Sequence, residues 1–367
     1  MARVKKVRPL WQKLILSLVS TLVFLLFIEV LSAFLFKTGI IIPLDWKKNL
    51  SLIYDYDMLY YNEPSRTALG NFKDVRPCRY TTNSFGFRED SEIAEIKPED
   101  EYRIFCVGDS STFGITVDQV QTYPAQLQSI LNERSSGTER YRVINGGCAG
   151  FTSFQAVRFM ERWVKKLKPD LIIYSIGFND STLARDEDKD VDYHKNVFAW
   201  LQRAFYSSNT FVLINQLTII NVMLAGKKKR AEPTCIRVRL SDYGSNLKRS
   251  VQIAREYGAM IIFCPITVVP QYMGVMHKVA AEYNVPIVET EESLWRAFNA
   301  IWNGAEDYGG QKLDYRGEIE ISFTNFAEMG ELKSSTMRTK PYVFDDTIHP
   351  NPIGYRAIAE DLAKRVP

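Results

Sequence analysis

The longest apolar run in the chain is Leu14 to Phe36, interrupted only by Ser, Thr and a single acid, Glu29. At about 1.5 Å per residue a helix of this length covers roughly 34 Å, enough to cross a bilayer's hydrocarbon core. Beyond residue 100 the pattern changes to short apolar runs alternating with amphipathic stretches. Arg103–Val107, Tyr141–Ile144, Leu171–Ser175, Met260–Cys264 and Pro286–Glu289 read as five strands. Tyr123–Leu131, Ser153–Lys166, a stretch before Met260 that Ser241 would cap, 271–284 and Ile353–Arg365 read as helices. Strands separated by helices predict an α/β fold, a parallel sheet with right-handed crossovers burying both faces.

Two stretches interrupt the alternation. Residues 181–239 open with a charge run, Arg185 to Asp192, and continue into an apolar stretch, Phe198 to Ala225. Asn209, Asn215, Gln216 and Asn221 make a second full membrane crossing costly. A second crossing would also separate Ser110 from His349, two residues that the chemistry below needs together. A lid or an interfacial amphipathic helix fits better. The second insertion, 301–343, holds Gly and aromatic residues without a readable motif. Residues 37–100, mixed and aromatic-rich, read as a stalk with a small β-element.

Charge adds direction to the apolar run. Arg3, Lys5, Lys6, Arg8 and Lys13 precede it with no acid among them. By the positive-inside rule 1–13 stays cytoplasmic, 14–36 is a transmembrane signal-anchor, and the rest is periplasmic or extracellular. A cleaved signal peptide would have a shorter apolar region and an A-x-A-like site, which is not evident here. The net charge of +3 is too small to argue for a nucleic-acid partner. Five cysteines leave at least one unpaired. Cys106, Cys148 and Cys264 read as buried small hydrophobes, and Cys78–Cys235 is the one pairing an oxidising compartment would permit. No Cys/His spacing suggests a metal site, and no cofactor is implied.

The candidate chemistry lies at strand ends. Gly108-Asp109-Ser110 directly follows the first strand, where a small residue lets a serine stand exposed. A hydroxyl nucleophile needs a base, and the chain has three histidines: His194, His277 and His349. His349 lies in Asp345-Asp346-Thr347-Ile348-His349-Pro350-Asn351, where an acid three residues earlier can reach back to Nδ1 and leave Nε2 for the serine. Asp346 has the better spacing and Asp345 is the alternative. Oxyanion donors are read as the Ser110 backbone N–H, Gly147 in Asn145-Gly146-Gly147, and the Asn179 amide in Gly177-Phe178-Asn179-Asp180. Each alone is an ordinary turn residue. In a sheet of order 2-1-3-4-5, however, the first three strand ends converge on the switch point where open α/β sheets bind ligands.

In these four blocks, Gly108-Asp109-Ser110, Gly147, Gly177-Phe178-Asn179-Asp180 and Asp346-Thr347-Ile348-His349, the chain resembles the SGNH hydrolases, or GDSL-type esterases and lipases. The resemblance covers about 101–183, 240–300 and 344–367. It implies a flavodoxin-like three-layer α/β/α sandwich within 101–367. It also implies Ser110 as nucleophile, His349 as base and acid, Asp346 as orienting acid, and Ser110, Gly147 and Asn179 as oxyanion donors. The stretch Thr82-Asn83-Ser84-Phe85-Gly86-Phe87-Arg88 looks like segments preceding the hydrolase domain in exported, membrane-anchored relatives. The implied activity is hydrolysis of acyl esters, acetyl among them, on envelope or extracellular polysaccharide. Lipid-ester hydrolysis and O-acyl transfer through the same acyl-enzyme are the alternatives, and a non-catalytic glycan-binding or envelope-assembly role is the alternative of another class.

Overall fold

The computed structural model describes residues 9–38, 40, 50–55, 57–70, 78–135, 140–191, 208–214, 217, 234–312, 319–324, 334–339, 343 and 348–367. The chain divides into two compact units, Met1–Asn49 with Asp192–Arg230, and Leu50–Val191 with Ala231–Pro367.

The first unit is built on helix α1, Leu10–Lys37. Pro9 precedes it, a residue whose missing N–H costs nothing at a helix start. Thr38 ends it, its hydroxyl donating back to the Phe34 carbonyl at 2.8 Å. Among the described residues, Leu10–Phe36 is the one helix long and apolar enough to cross a membrane. From Leu10 to Phe27 it is exposed all round.

The second unit opens with two hairpins, β1 (Leu52–Asp55) with β2 (Leu59–Asn62) and β3 (Thr67–Gly70) with β4 (Cys78–Thr81). The α/β alternation then runs β5 (Glu101–Gly108), α2 (Ser110–Phe113), α3 (Tyr123–Arg134), β6 (Arg140–Gly147), α4 (Ser153–Leu167) and β7 (Leu171–Ser175). A short pair follows, β8 (Leu183–Ala184) with β9 (Cys235–Ile236), then α5 (Leu240–Glu256), β10 (Met260–Phe263), α6 (Pro270–Tyr283) and α7 (Thr290–Trp302). Hairpins β11 (Asp307–Tyr308) with β12 (Gln311–Lys312) and β13 (Ile319–Thr324) with β14 (Ser334–Thr339) precede α8, Pro352–Ala363.

The central sheet is parallel, in the order β10-β7-β5-β6. Its strands are buried on both faces, which explains why they read as continuous apolar runs. Alternate residues serve opposite layers. Ile104, Cys106, Ile173 and Ile262 join a core with Tyr123, Leu127, Ile130, Leu294, Ala297, Tyr355 and Ile358 from α3, α7 and α8. On the other face Phe105 stacks on Phe159 of α4, ring centres 5.5 Å apart. The result is an α/β/α sandwich, as the alternation predicts.

Four expectations need correction. The fifth strand shrinks to one parallel bridge, Phe263 to Ile287, held by Phe263 N–H to Pro286 O and Val288 N–H to Phe263 O, both 2.9 Å. It occupies the predicted edge position, but the chain enters α7 at Thr290, leaving too few residues to pair further. Helix α7 itself follows from the apolar positions Leu294, Ala297 and Ile301, spaced three and four apart. Ser241 lies inside α5 rather than capping it. None of the five cysteines is in a disulfide; Cys78 is buried with its thiol donating to Ile115 O at 2.9 Å, which removes the Cys78–Cys235 pairing.

Residues 50–55, 57–70 and 78–100 are not a separate stalk but a part of the second unit. Asn62 Nδ2 donates to Gly86 O and Gly147 O, Tyr60 Oη to Gly150 O at 2.6 Å, and Gln155 Nε2 of α4 to Met58 O at 2.7 Å. Arg88 is the deepest of these contacts. Its guanidinium, buried against Phe113 and Tyr80, donates to Phe113 O (2.6 Å), Gly114 O, Val117 O (2.7 Å) and Gln119 Oε1 (3.1 Å). These carbonyls belong to the end of α2 and the loop after it. One cation from the N-terminal segment thus ties down the element that begins at Ser110.

Each buried carbonyl left unpaired costs about 1–3 kcal/mol. Arg88→Met is therefore expected to destabilise the full-length chain by about 3 kcal/mol or more, read by chemical unfolding in detergent, and Arg88→Lys is expected to recover only a minor part.

Candidate active site

The site forms at the carboxyl ends of β5, β6 and β7. Strand β5 turns sharply into α2 at Gly108. A Cβ there would lie 1.8 Å from Thr112 Oγ1, so only glycine lets the helix start this close to the strand. Asp109 caps α2 by accepting the Ser111 N–H at 2.9 Å. Ser110 comes next, half-buried and pointing its hydroxyl at the opposite side of the cleft. Its Oγ is 2.8 Å from His349 Nε2.

His349 is buried in the loop before α8. Three contacts hold that loop. Asn351 caps α8 through Gly354 N–H (3.0 Å), its own N–H donates to Val343 O (2.9 Å), and Thr116 Oγ1 donates to Pro350 O (3.4 Å). Asn351 is thus the capping residue of α8, and the capped start of the helix presents the histidine two residues earlier. Asp345 and Asp346 lie outside the described residues, as does His194. His277 is far from this chemistry in role: it is half-exposed on α6, 3.6 Å from Glu289.

Asn179 begins a single 3-10 turn after β7. Its amide donates to Asp109 Oδ2 and to Phe151 O, each at 3.1 Å, so the ends of β5, β6 and β7 are joined through one side chain. Gly147, read as an oxyanion donor, behaves differently. Its N–H is taken by Asn145 Oδ1 at 3.0 Å, and a Cβ on it would fall 2.2 Å from Phe113 N. Its glycine identity is a matter of packing against α2. The open donor in that turn is Gly150, three residues on, at φ +76°, half-buried and adjacent to Phe151. Among the described residues neither Gly150 N–H nor Ser110 N–H has a hydrogen-bond acceptor. The sequence signal for Gly150 was its position two residues before Thr152, which initiates α4. The Asn145-Gly146-Gly147 pair drew attention away from it.

Two further carboxyls escaped the sequence reading. Burial pushes the Asp109 carboxyl up to about 6, although the bond from Ser111 and the proximity of His349 oppose the shift. Burial likewise pushes Asp180 up to about 7 against hydrogen bonds from the Ser153 backbone and hydroxyl. Asp180 thereby fixes the start of α4 beneath the Asn179 turn.

A serine paired with a histidine, with backbone and amide donors beside it at the switch point of a parallel sheet, is the constellation of a serine hydrolase. The chain belongs to the GDSL-like lipase/acylhydrolase family, whose profile matches residues 106–357. Among curated proteins it is similar to an acetylxylan esterase of Xylanibacter ruminicola, 24% identical over 277 residues, 73% of this chain and 44% of that protein. The chain thus spans less than half the length of that relative. Similar solved structures include an acetyl xylan esterase (15% identity, TM-score 0.40, 72% of this chain and 100% of that one). A GDSL-like lipase from Bacteroides thetaiotaomicron is another (13% identity, TM-score 0.38, 74% and 91%).

Three buried carboxyls, Asp109, Asp180 and Glu89 (burial pushes the last up to about 7 as well), give stability a pH-dependent share. Each binds its proton more tightly folded than unfolded, so its contribution is complete below about pH 4 and is lost as pH rises through 6 to 7. Unfolding free energy should therefore fall from about pH 4 to about pH 7, by up to about 1.4 kcal/mol per pH unit for each group still protonated only in the folded state. Asp180→Asn is expected to flatten this slope, as measured by denaturant unfolding across the pH range.

Proposed function

We propose that this protein is a membrane-anchored serine esterase that removes acyl groups, acetyl among them, from polysaccharide outside the cytoplasm. The observation that carries the reading is the 2.8 Å contact between Ser110 Oγ and His349 Nε2. In this reading His349 Nε2 takes the hydroxyl proton as Ser110 Oγ attacks the ester carbonyl. Negative charge on the carbonyl oxygen is met by the Ser110 and Gly150 N–H groups, and by the Asn179 amide once one of its two bonds, to Asp109 Oδ2 or Phe151 O, is exchanged for the substrate oxygen. Donors of this kind are worth roughly 3–4 kcal/mol each in the transition state. His349 returns the proton to the departing alcohol oxygen, and the bond from that oxygen to the acyl carbon breaks. Water, deprotonated by the same imidazole, then attacks the acyl-Ser110 ester and releases the acid. Asp346, three residues before the histidine in the sequence, is the residue assigned the orienting role in this reading.

The substrate class rests on the esterase relatives and on the anchor. The acetylxylan esterase likeness supports an O-acylated glycan. The basic residues before α1 and the length of Leu10–Phe36 support a cytoplasmic N-terminus with the catalytic unit on the far side.

Three variants of the full-length chain in detergent test the assignment. A fluorophosphonate probe is expected to label the wild type and leave Ser110→Ala unlabelled. On acetylated xylan or a short acyl ester, His349→Ala is expected to lose at least about a thousandfold in kcat. His277→Ala should stay within about twofold, the ordinary range for an exposed site away from the chemistry. Equal losses at the two histidines would remove the proposed base.

A further inference from the structure

The insertion brings a contact of its own within the first unit. Residues 209–214 are helical, and Ser208 caps them, its Oγ accepting the Phe211 N–H at 3.2 Å while its carbonyl accepts the Val212 N–H at 3.2 Å. The two preceding donors go to Glu29 of α1. Asn209 N–H reaches Oε1 at 2.7 Å and Thr210 N–H reaches Oε2 at 3.0 Å. Ser208 Oγ donates to Oε2 at 2.7 Å and Asn209 Nδ2 to Oε1 at 2.9 Å. Both carboxylate oxygens and the first three helical N–H groups are therefore satisfied by protein.

Depth gives this contact its meaning. Glu29 lies seven residues before Phe36, about 10 Å inside the outer end of a helix that spans a hydrocarbon core about 30 Å thick. A carboxylate there is costly unless it is fully hydrogen-bonded, and so is a helix terminus with free N–H groups. Residues 208–210 can meet Glu29 only at Glu29's own depth. Exposure along α1 agrees. It is bare from Leu10 to Phe27, while Ile28, Glu29, Ser32 and Ala33, one helical face, are covered, Ser32 to 1% exposure. The docked helix in turn buries Val212 and presents Ile214 and Leu217, 58% and 50% exposed. In the sequence this contact sits within Phe198–Ala225, a 28-residue stretch whose one charged residue is Arg203.

We propose that residues 208–214 are seated in the outer leaflet beside α1, docked on Glu29, so that the chain holds the bilayer at two places rather than one. The exposed side chain of Leu217 faces lipid in this placement. Residues 208–210 reach Glu29 without a second crossing of the bilayer. The inference rests on reading α1 as a membrane span, and it replaces a water-exposed lid with a lipid-immersed wedge.

The test severs α1 from the rest in place. A specific protease site is placed within 41–49 of the full-length chain, which is reconstituted in phosphatidylcholine–phosphatidylglycerol vesicles, sedimented, cleaved and sedimented again in high salt. The inference expects the intact chain and, after cleavage, most of the catalytic fragment to pellet. Glu29→Ala is expected to shift the cleaved fragment at least about tenfold toward the supernatant, the effect of losing roughly one charged hydrogen bond's worth of binding. Its esterase activity should be unchanged, showing that the catalytic unit has folded. A photoactivatable phosphatidylcholine should also label 208–217 in the intact wild type. Release of the wild-type fragment on cleavage, or no lipid adduct in that segment, overturns the wedge while leaving the anchor intact. A full-length chain that stays soluble before cleavage overturns both the anchor and the wedge.

Discussion

The hydrogen bond from Ser110 Oγ to His349 Nε2 joins residues 239 positions apart, and much of the fold serves to hold its two ends still. On the serine side the constraint is a strand-to-helix turn that leaves no room for a side chain at Gly108. Asp109 then caps the helix from within the turn. On the histidine side it is the capped start of α8, which packs with α3 in the core beneath. A nucleophile and base must stay within a few tenths of an ångström for proton transfer, so rigid element ends suit the purpose better than loops alone.

Around this pair the structure spends buried polar groups. Asn179 bridges Asp109 and Phe151 O, Asp180 ties Ser153, and Arg88 collects three carbonyls from the chain just after Ser110. Buried polar groups stabilise only when fully paired and are expensive when a partner is lost. Their cost is consistent with a positioning role, since an apolar core would stabilise at least as well without fixing direction. The N-terminal hairpins belong to the same network through Tyr60, Asn62 and Arg88, which is why the catalytic unit begins at residue 50 rather than near 100.

The first unit shows the same logic. Glu29 is the one acid of an otherwise apolar helix, and its four hydrogen bonds all come from residues 208–210. A charge placed in an apolar helix has to be matched by something, and here the match is the start of another helix. The proposed wedge would bring the enzyme to esters near a membrane surface without a second crossing.

Hydrophobic periodicity was sufficient for the sheet and most helices, because strands buried on both faces and amphipathic helices leave unambiguous patterns. The strand starting at Leu171 and the helices starting at Tyr123 and Ser153 could be read directly from it. The short motifs pointed to Ser110, Asn179 and His349, since few residue types can do acyl chemistry and the chain has only three histidines, and the fold brings Ser110 against His349 and Asn179 against Asp109. What local pattern could not convey was partnership. Whether Gly147 or Gly150 offers its N–H depends on Asn145 folding back over one and not the other. Whether residues 50–100 form a stalk depends on contacts made by Tyr60 and Arg88 far along the chain. Glu29 reads as an anomaly until residues 208–210 arrive beside it. Those outcomes belong to tertiary structure because a hydrogen bond is decided by which donor reaches an acceptor in space, and sequence spacing carries that information only within one element.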